Sequence, residues 1–155
     1  MIETRVGAAV GGRVDWVLNA ERRMICMTDS VRCTLPAVAE SVPEARRLVT
    51  SLAADVSVSE EQVDSVGLAV SEAVTNAVMY AYEVRAGKIH LAASVDAGRL
   101  SVQVADDGCG FGNSPADGGL GLGLVLIEQL SESLTIAKRA SGGVELKMSF
   151  ALDPI

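Results

Sequence analysis

Residues 69–77 read AVSEAVTNA, and they lie in the middle of a longer apolar segment. Glu72 and Asn76 are four residues apart, which places them one turn apart on the same face of a helix. An apolar stripe runs along this predicted helix, formed by Val63, Val66, Val70, Val74, Ala77 and Ala81. Burying a carboxylate or an amide without a partner costs roughly 1–3 kcal/mol, so the pair needs a polar environment. It therefore either faces solvent or binds a metal-bound phosphate, with Asn as a magnesium ligand and Glu as a proton acceptor.

Two helix starts carry the capping-box pattern, in which a serine and a residue three positions later each satisfy a backbone amide. Ser59 and Gln62 mark the start of the long helix, and Ser41 and Glu44 mark the start of an earlier one. The earlier helix has its apolar residues at helical spacing: Ala45, Leu48, Val49 and Leu52. The sequence therefore predicts two consecutive helices before residue 82.

Alternation of apolar and polar residues predicts the strands. A first strand carries Val31, Cys33 and Leu35, and a hairpin follows the long helix, with its turn at Asp96, Ala97 and Gly98. A third core helix and a last hairpin complete the pattern, with the last turn at Gly142 and Gly143. Strands joined as hairpins, with helices grouped apart, predict an α+β fold. We expect a two-layer α/β sandwich in which a mixed, mostly antiparallel sheet carries the helices on one face.

Glycines concentrate between the two hairpins, where seven of the 15 glycines fall within residues 108–123. Asp106 ends a predicted strand and opens the pattern D-x-G-x-G, so its carboxylate can accept a hydrogen bond from an amino group such as that of adenine. The run GGLGLGL at residues 118–124 opens a helix, whose backbone amides can hold a polyphosphate. Each pattern alone is equally typical of a glycine-rich turn.

Taken together and in this order, the three patterns resemble the GHKL ATPase superfamily, whose ATP pocket is built from an N box, a G1 box and a G2 box. Residues 71–78 resemble the N box, Asp106–Gly110 the G1 box, and Gly119–Leu124 the G2 box. Within that superfamily the chain is most similar to the small anti-sigma-factor serine kinases, over about residues 30–151. The resemblance implies a Bergerat-type ATP-binding fold.

The resemblance also implies the role of each residue. Glu72 would be the catalytic base that deprotonates a serine of a partner protein, and Asn76 would ligate magnesium. Asp106 would bind the adenine amino group, and the remaining ATP-binding positions would be Gly108 and Gly110 at the base and Gly119, Gly121 and Gly123 at the phosphates. The implied cofactors are ATP and Mg²⁺. The implied partners are a sigma factor, a STAS-type anti-anti-sigma protein and a second copy of the chain in a homodimer.

One departure from the family pattern leaves a second function open. No Lys or Arg occurs between Arg99 and Lys138, so the predicted lid between the G1 and G2 boxes, about residues 111–120, has no basic residue. Magnesium, glycine amides and the helix dipole would then offset the charge that develops on the phosphate. The alternative to a kinase is a non-catalytic, nucleotide-gated regulatory module of the same fold.

Composition limits the remaining possibilities. The 155 residues carry a formal net charge of −7, which argues against direct nucleic-acid binding. No run of 18 apolar residues predicts a membrane span, and three cysteines with one histidine give neither a disulfide framework nor a zinc site, so we expect a cytoplasmic protein. We expect residues 1–29 to be an N-terminal extension, with a short helix around Trp16, and residues 30–155 to be the ATP-binding domain. The first strand would then lie exposed, either free or paired with a second copy.

Overall fold

The computed structural model describes residues 5–6, 16–17, 24–27, 29–80, 87–108 and 120–153. Eight strands and three helices occur in these ranges. Their order is β1 (Arg5–Val6), β2 (Trp16–Val17), β3 (Met24–Met27), β4 (Ser30–Pro36), α1 (Ser41–Ala54), α2 (Glu60–Tyr80), β5 (Lys88–Asp96), β6 (Arg99–Asp106), α3 (Leu120–Leu130), β7 (Ser133–Lys138) and β8 (Val144–Ala151).

The strands form one sheet in the order β1-β2-β3-β4-β5-β6-β8-β7. Every described strand pair is antiparallel, which confirms the α+β class and makes this part of the sheet antiparallel throughout. The two predicted hairpins are confirmed as β5–β6 and β7–β8. In the first of them, Ala97 and Gly98 have φ values of 48° and 74°, the left-handed pair that a two-residue hairpin turn requires.

One face of the sheet packs against the helices and forms the core. In β5 the buried residues alternate along the strand, and α2 buries the predicted stripe from Val66 to Ala77. Helices α1 and α2 pack on each other, and α3 packs on α2. Because each fully buried aliphatic side chain contributes about 1.5–3 kcal/mol, this shared core holds α2 and α3 side by side. That contact brings the predicted N box next to the G2 box.

The two predicted capping boxes have different outcomes. At α2 half of the box is present, because the backbone amide of Gln62 donates to Ser59 Oγ at 3.2 Å but Gln62 Oε1 has no hydrogen-bond partner among the described residues. At α1 the prediction is wrong, because the cap residue is Glu40 and it makes no side-chain capping bond. The Ser41 hydroxyl instead donates to the Pro36 carbonyl at 2.6 Å, which ties the helix start to the end of β4.

The N-terminal region contributes strands to the sheet. The described backbone at Trp16–Val17 is a strand, so the expected short helix around Trp16 is wrong. The expectation that β4 has an exposed edge is also wrong, because Met24–Met27 pairs with it along four residues. Whether residues 1–29 are an extension to an independent domain at 30–155 stays a prediction.

Candidate nucleotide-binding site

Asp106 lies at the C-terminal end of β6, and its side chain is nearly buried, with 6% of its surface exposed. Its Oδ1 accepts hydrogen bonds from the backbone amides of Gly108, at 2.9 Å, and Val144, at 3.3 Å. Burial raises the pKa of Asp106, and the two amides oppose that shift without cancelling it. Both hydrogen bonds from described residues end on Oδ1. Oδ2 would therefore be available to accept a hydrogen bond from a ligand's amino group.

The β7–β8 turn packs closely against Asp106. Gly143 has a φ of +85°, and a Cβ atom built on it would lie 2.0 Å from the main-chain oxygen of Asp106. No side chain fits in that space, since real Cβ contacts begin about an ångström further out. The second glycine of the turn, Gly142, has a φ of +95° but open space around its Cβ position. Only Gly143 is therefore required by contact with Asp106.

Glu72 and Asn76 lie side by side on α2 and face the start of α3. A Cβ atom built on Gly123 would lie 3.0 Å from Glu72 Oε2 and 3.4 Å from both amide atoms of Asn76. The carboxylate and the amide therefore touch the backbone of the first turn of α3, where a side chain would crowd them. This is the contact between N box and G2 box that the sequence predicts.

The Asn76 amide is the unsatisfied group of this site. Its Nδ2 atom is buried and makes no hydrogen bond within the described part of the chain. Because the two ends of an amide are assigned from their surroundings, what matters is that one polar end of Asn76 is buried without a hydrogen-bond partner there. Such a group fits a site completed by a ligand. Asn76, the glycine backbone of α3 and the buried Asp106 together suit magnesium-bound ATP.

The other predicted residues have separate outcomes. Gly108 lies two residues after the end of β6, and its backbone amide donates a hydrogen bond to Asp106 Oδ1. Gly121 and Gly123 lie in the first turn of α3, consistent with a phosphate-binding helix start. Gly110, Gly119 and the predicted lid of about residues 111–120 lie outside the described residues, except for Leu120, which begins α3.

Sequence reasoning missed a polar cluster at the end of β6. Arg139, in the β7–β8 turn, donates Nη1 to the Asp106 main-chain oxygen at 2.9 Å and to Asp107 Oδ1 at 2.5 Å. Asp107 Oδ2 lies 2.7 Å from His90 Nε2, and Thr34 Oγ1 lies 3.3 Å from His90 Nδ1. The hydrogen bond with His90 and the neighbouring Arg139 lower the pKa of Asp107. The sequence signal that could have indicated this cluster is the predicted last hairpin. When β8 pairs with β6, the turn of that hairpin lies beside Asp106.

Comparison with protein families gives a match over most of the chain. The family model of the histidine kinase-like ATPase domain matches residues 35–150. The chain belongs to the histidine kinase-like ATPase family. The predicted family resemblance is therefore confirmed, and the match covers all three boxes.

The similar proteins include an anti-sigma F factor and a serine-protein kinase. An anti-sigma F factor from Clostridium acetobutylicum is 30% identical over 129 residues, which covers 75% of this chain and 90% of that protein. A serine-protein kinase RsbW from Staphylococcus epidermidis is 31% identical over 137 residues, which covers 77% of this chain and 85% of that protein. Both alignments extend over most of each relative's length.

A solved structure shares the fold. The crystal structure of the RsbU and RsbW domains of a Mycobacterium tuberculosis protein superposes with a TM-score of 0.64 at 22% identity. The match covers 84% of this chain, which spans only 34% of that longer protein. In the described part of this ATPase-family chain, no helix has the length and apolar character needed to cross a membrane.

Proposed function

We propose that this chain binds ATP with Mg²⁺ and transfers the γ-phosphate to a serine of an anti-anti-sigma protein. The observation that carries the proposal is the contact of Gly123 with Glu72 and Asn76 beside a buried amide that lacks a hydrogen-bond partner. A carboxylate and an amide held against a glycine helix start are the groups that phosphoryl transfer needs.

Each residue would act at one place on the nucleotide. Asp106 would accept a hydrogen bond from the adenine amino group, and Gly108 and Gly110 would lie against the base. Asn76 would ligate the magnesium ion, which supplies charge neutralisation at the phosphates when bound.

The phosphates would contact the backbone amides of Gly119, Gly121 and Gly123 at the start of α3. Glu72 would accept the proton of the partner's serine hydroxyl. The serine oxygen would bond to the γ-phosphorus as the bond between that phosphorus and ADP breaks.

The partners are proposed from the relatives. A chain that is about 30% identical to an anti-sigma F factor over most of its length is a candidate for the same partner class. We propose a sigma factor as the sequestered partner, a STAS-type anti-anti-sigma protein as the phosphate acceptor, and a homodimer acting in the cytoplasm.

One observation favours a second function, a nucleotide-gated binding module without phosphotransfer. The predicted lid lacks a basic residue, and the nearest arginine to follow it, Arg139, faces Asp106 rather than Glu72. The transferring phosphate would then be stabilised by fewer positive charges. Phosphate transfer would be slower, but nucleotide binding would not be prevented.

Replacement of Glu72 separates the two functions. We expect Glu72→Ala to lower transfer of labelled γ-phosphate to a STAS-type acceptor by roughly 10²–10⁴-fold, the usual contribution of a general base, while ATP affinity changes little. The matched control is Glu61→Ala, an exposed glutamate on the same helix, which should behave as the wild type. Unchanged transfer in Glu72→Ala contradicts the assigned role. Absence of transfer by a wild-type protein that binds ATP supports the regulatory module instead.

A further inference from the structure

Arg139 contacts Asp106 from the side of the turn, although 33 residues separate them in the sequence. Its guanidinium is mostly buried, with 26% of the side chain exposed. One nitrogen, Nη1, donates both to the Asp106 main-chain oxygen and to the Asp107 carboxylate. A charge-assisted hydrogen bond of this kind is about twice as strong as a neutral one.

The contact lies where β8 stops pairing with β6, while on the other side Asp106 still pairs with Ile89 of β5. The ladder between β6 and β8 ends at the pair Ala105–Glu145, so Asp106 is the first residue beyond it. The turn takes over from the ladder there, because Arg139 donates to the main-chain oxygen of Asp106 and Val144 donates to its carboxylate. Backbone and side chain of Asp106 are therefore both fixed by one turn.

The arginine is itself held in place. Its backbone amide donates to the Gly143 carbonyl at 3.1 Å, and its own carbonyl accepts from the Gly142 amide at 3.0 Å, which closes the turn around it. Asp107 holds the guanidinium from the other side, and His90 holds the second oxygen of Asp107. A long side chain fixed at both ends loses little further entropy when it orients a neighbour.

We propose that Arg139 is the positioning residue that aims the Asp106 carboxylate at the base, and that it thereby sets the selectivity for nucleobases carrying an amino group. The inference rests on the proposed function, since it takes Asp106 as the base acceptor. Without Arg139 the main-chain oxygen of Asp106 loses its charged donor, and the carboxylate keeps only the weaker hold of the two amides.

Selectivity distinguishes positioning from general support of the fold. A loosened fold weakens every nucleotide alike, whereas a misaligned Asp106 weakens only nucleotides whose amino group it accepts. The experiment therefore compares ATP with purine riboside triphosphate, which lacks the 6-amino group but is otherwise the same ligand.

Calorimetric titration of the full chain with both nucleotides is the test. In the wild type we expect ATP to bind roughly 10- to 100-fold more tightly, the usual effect of a hydrogen bond to a charged group. In Arg139→Ala this ratio should fall by at least about fivefold, through a loss of ATP affinity alone. Arg139→Lys retains the charge and should recover part of the ratio.

Arg99→Ala is the matched control, because Arg99 lies at the opposite end of β6 and also pairs with a carboxylate, Glu132 Oε1, at 3.2 Å. It should keep the wild-type ratio. An Arg139→Ala protein that loses affinity for both nucleotides equally, or for neither, overturns the inference, as does a wild type that binds both equally. A wild type that binds neither nucleotide refutes the proposed function instead.

Folding of the alanine variant is checked by cooperative thermal unfolding. If Arg139→Ala does not fold, Arg139→Lys and Asp107→Asn carry the test, since the first replaces the guanidinium with an ammonium and the second weakens the ion pair that holds it, while both retain a polar side chain. A reduced ratio in both supports the inference, and the wild-type ratio in both overturns it.

Discussion

The two ends of the candidate site are built in different ways. At the base end, the Asp106 carboxylate is buried and takes hydrogen bonds from the Gly108 and Val144 amides, with a turn packed against it. At the metal end, the Asn76 amide is buried too, but its Nδ2 atom makes no hydrogen bond with the described residues. At the base end Asp106 Oδ1 is satisfied within the chain, whereas at the metal end Asn76 Nδ2 would be satisfied only by a ligand.

This difference separates stability from binding. A polar group satisfied within the chain contributes to folding, so changing it costs stability whether or not nucleotide is present. A group that waits for a ligand contributes little to folding and shows its effect only when the ligand binds. The base end should therefore respond to mutation in the free protein, and the metal end only in the presence of ATP.

The largest effect on the free protein is expected at the turn. Gly142→Ala and Gly143→Ala both place a side chain on a left-handed backbone, which costs roughly 1–2 kcal/mol. Only Gly143→Ala also drives a methyl group into the Asp106 main-chain oxygen, so we expect it to lower the free energy of unfolding by at least about 3 kcal/mol. Urea unfolding measures both variants, and equal losses contradict the described contact.

A smaller effect compares the two ends directly. Without nucleotide, Asp106→Ala should lower the free energy of unfolding by roughly 1–3 kcal/mol, since it leaves two backbone amides without an acceptor. Asn76→Ala removes a group that is already unsatisfied and should change it by less than about 1 kcal/mol.

In the presence of ATP, substitution at the metal end should have a clear effect on one quantity, the magnesium dependence of ATP affinity. Asn76→Ala should remove the dependence of ATP affinity on Mg²⁺, as titrations with and without the metal can determine. An Asn76→Ala protein that unfolds as easily as Asp106→Ala, or that keeps its magnesium dependence, contradicts the division into two ends.

Much of the fold and of the candidate site could be predicted from the sequence. Contacts between residues far apart along the chain could not. Period-two and helical patterns predicted the β5–β6 hairpin and the α2 stripe, because each pattern is local. Asp106, Glu72 and Asn76 were predicted from motifs. Arg139 was not, since no local pattern links a turn residue to a strand end that it meets only after β8 pairs with β6.

Local signals also misled where a tertiary contact competed with them. Ser41 has the sequence of a capping residue, but its hydroxyl donates to Pro36 instead, and the helix starts without a side-chain cap. Trp16 suggested a short helix, but the backbone there pairs as a strand with β1. In both cases a partner from another segment replaced the local interaction.

The pH dependence of binding tests the state of the base end. Burial raises the pKa of Asp106, and the ionised carboxylate accepts a stronger hydrogen bond from the adenine amino group than the protonated carboxyl does. ADP affinity should therefore be full above the raised pKa and fall as the pH drops through it, at a higher pH than an ordinary aspartate would give. Titration of ADP alone over the same pH range is the control for the nucleotide itself, and an affinity that follows only that titration contradicts the assignment.

The smallest effect is expected at the N-terminus. Strands β4–β8 and the three helices share one buried core, so we expect removal of residues 1–26 to leave a cooperatively folding domain. Loss of the strand beside β4 should lower the melting temperature by roughly 4 °C. Thermal unfolding followed by circular dichroism measures this, and a deleted chain without a cooperative transition places the N-terminal strands inside the domain.

The central claim is that Asp106, Glu72 and Asn76 belong to one magnesium-dependent ATP site. Calorimetric titration with ADP and ATP, with and without Mg²⁺, on the wild type and on Asp106→Asn tests it most directly. We expect magnesium-dependent ATP binding by the wild type that the single substitution abolishes. Nucleotide binding that Asp106→Asn leaves unchanged, or no binding by the wild type in any condition, would contradict it.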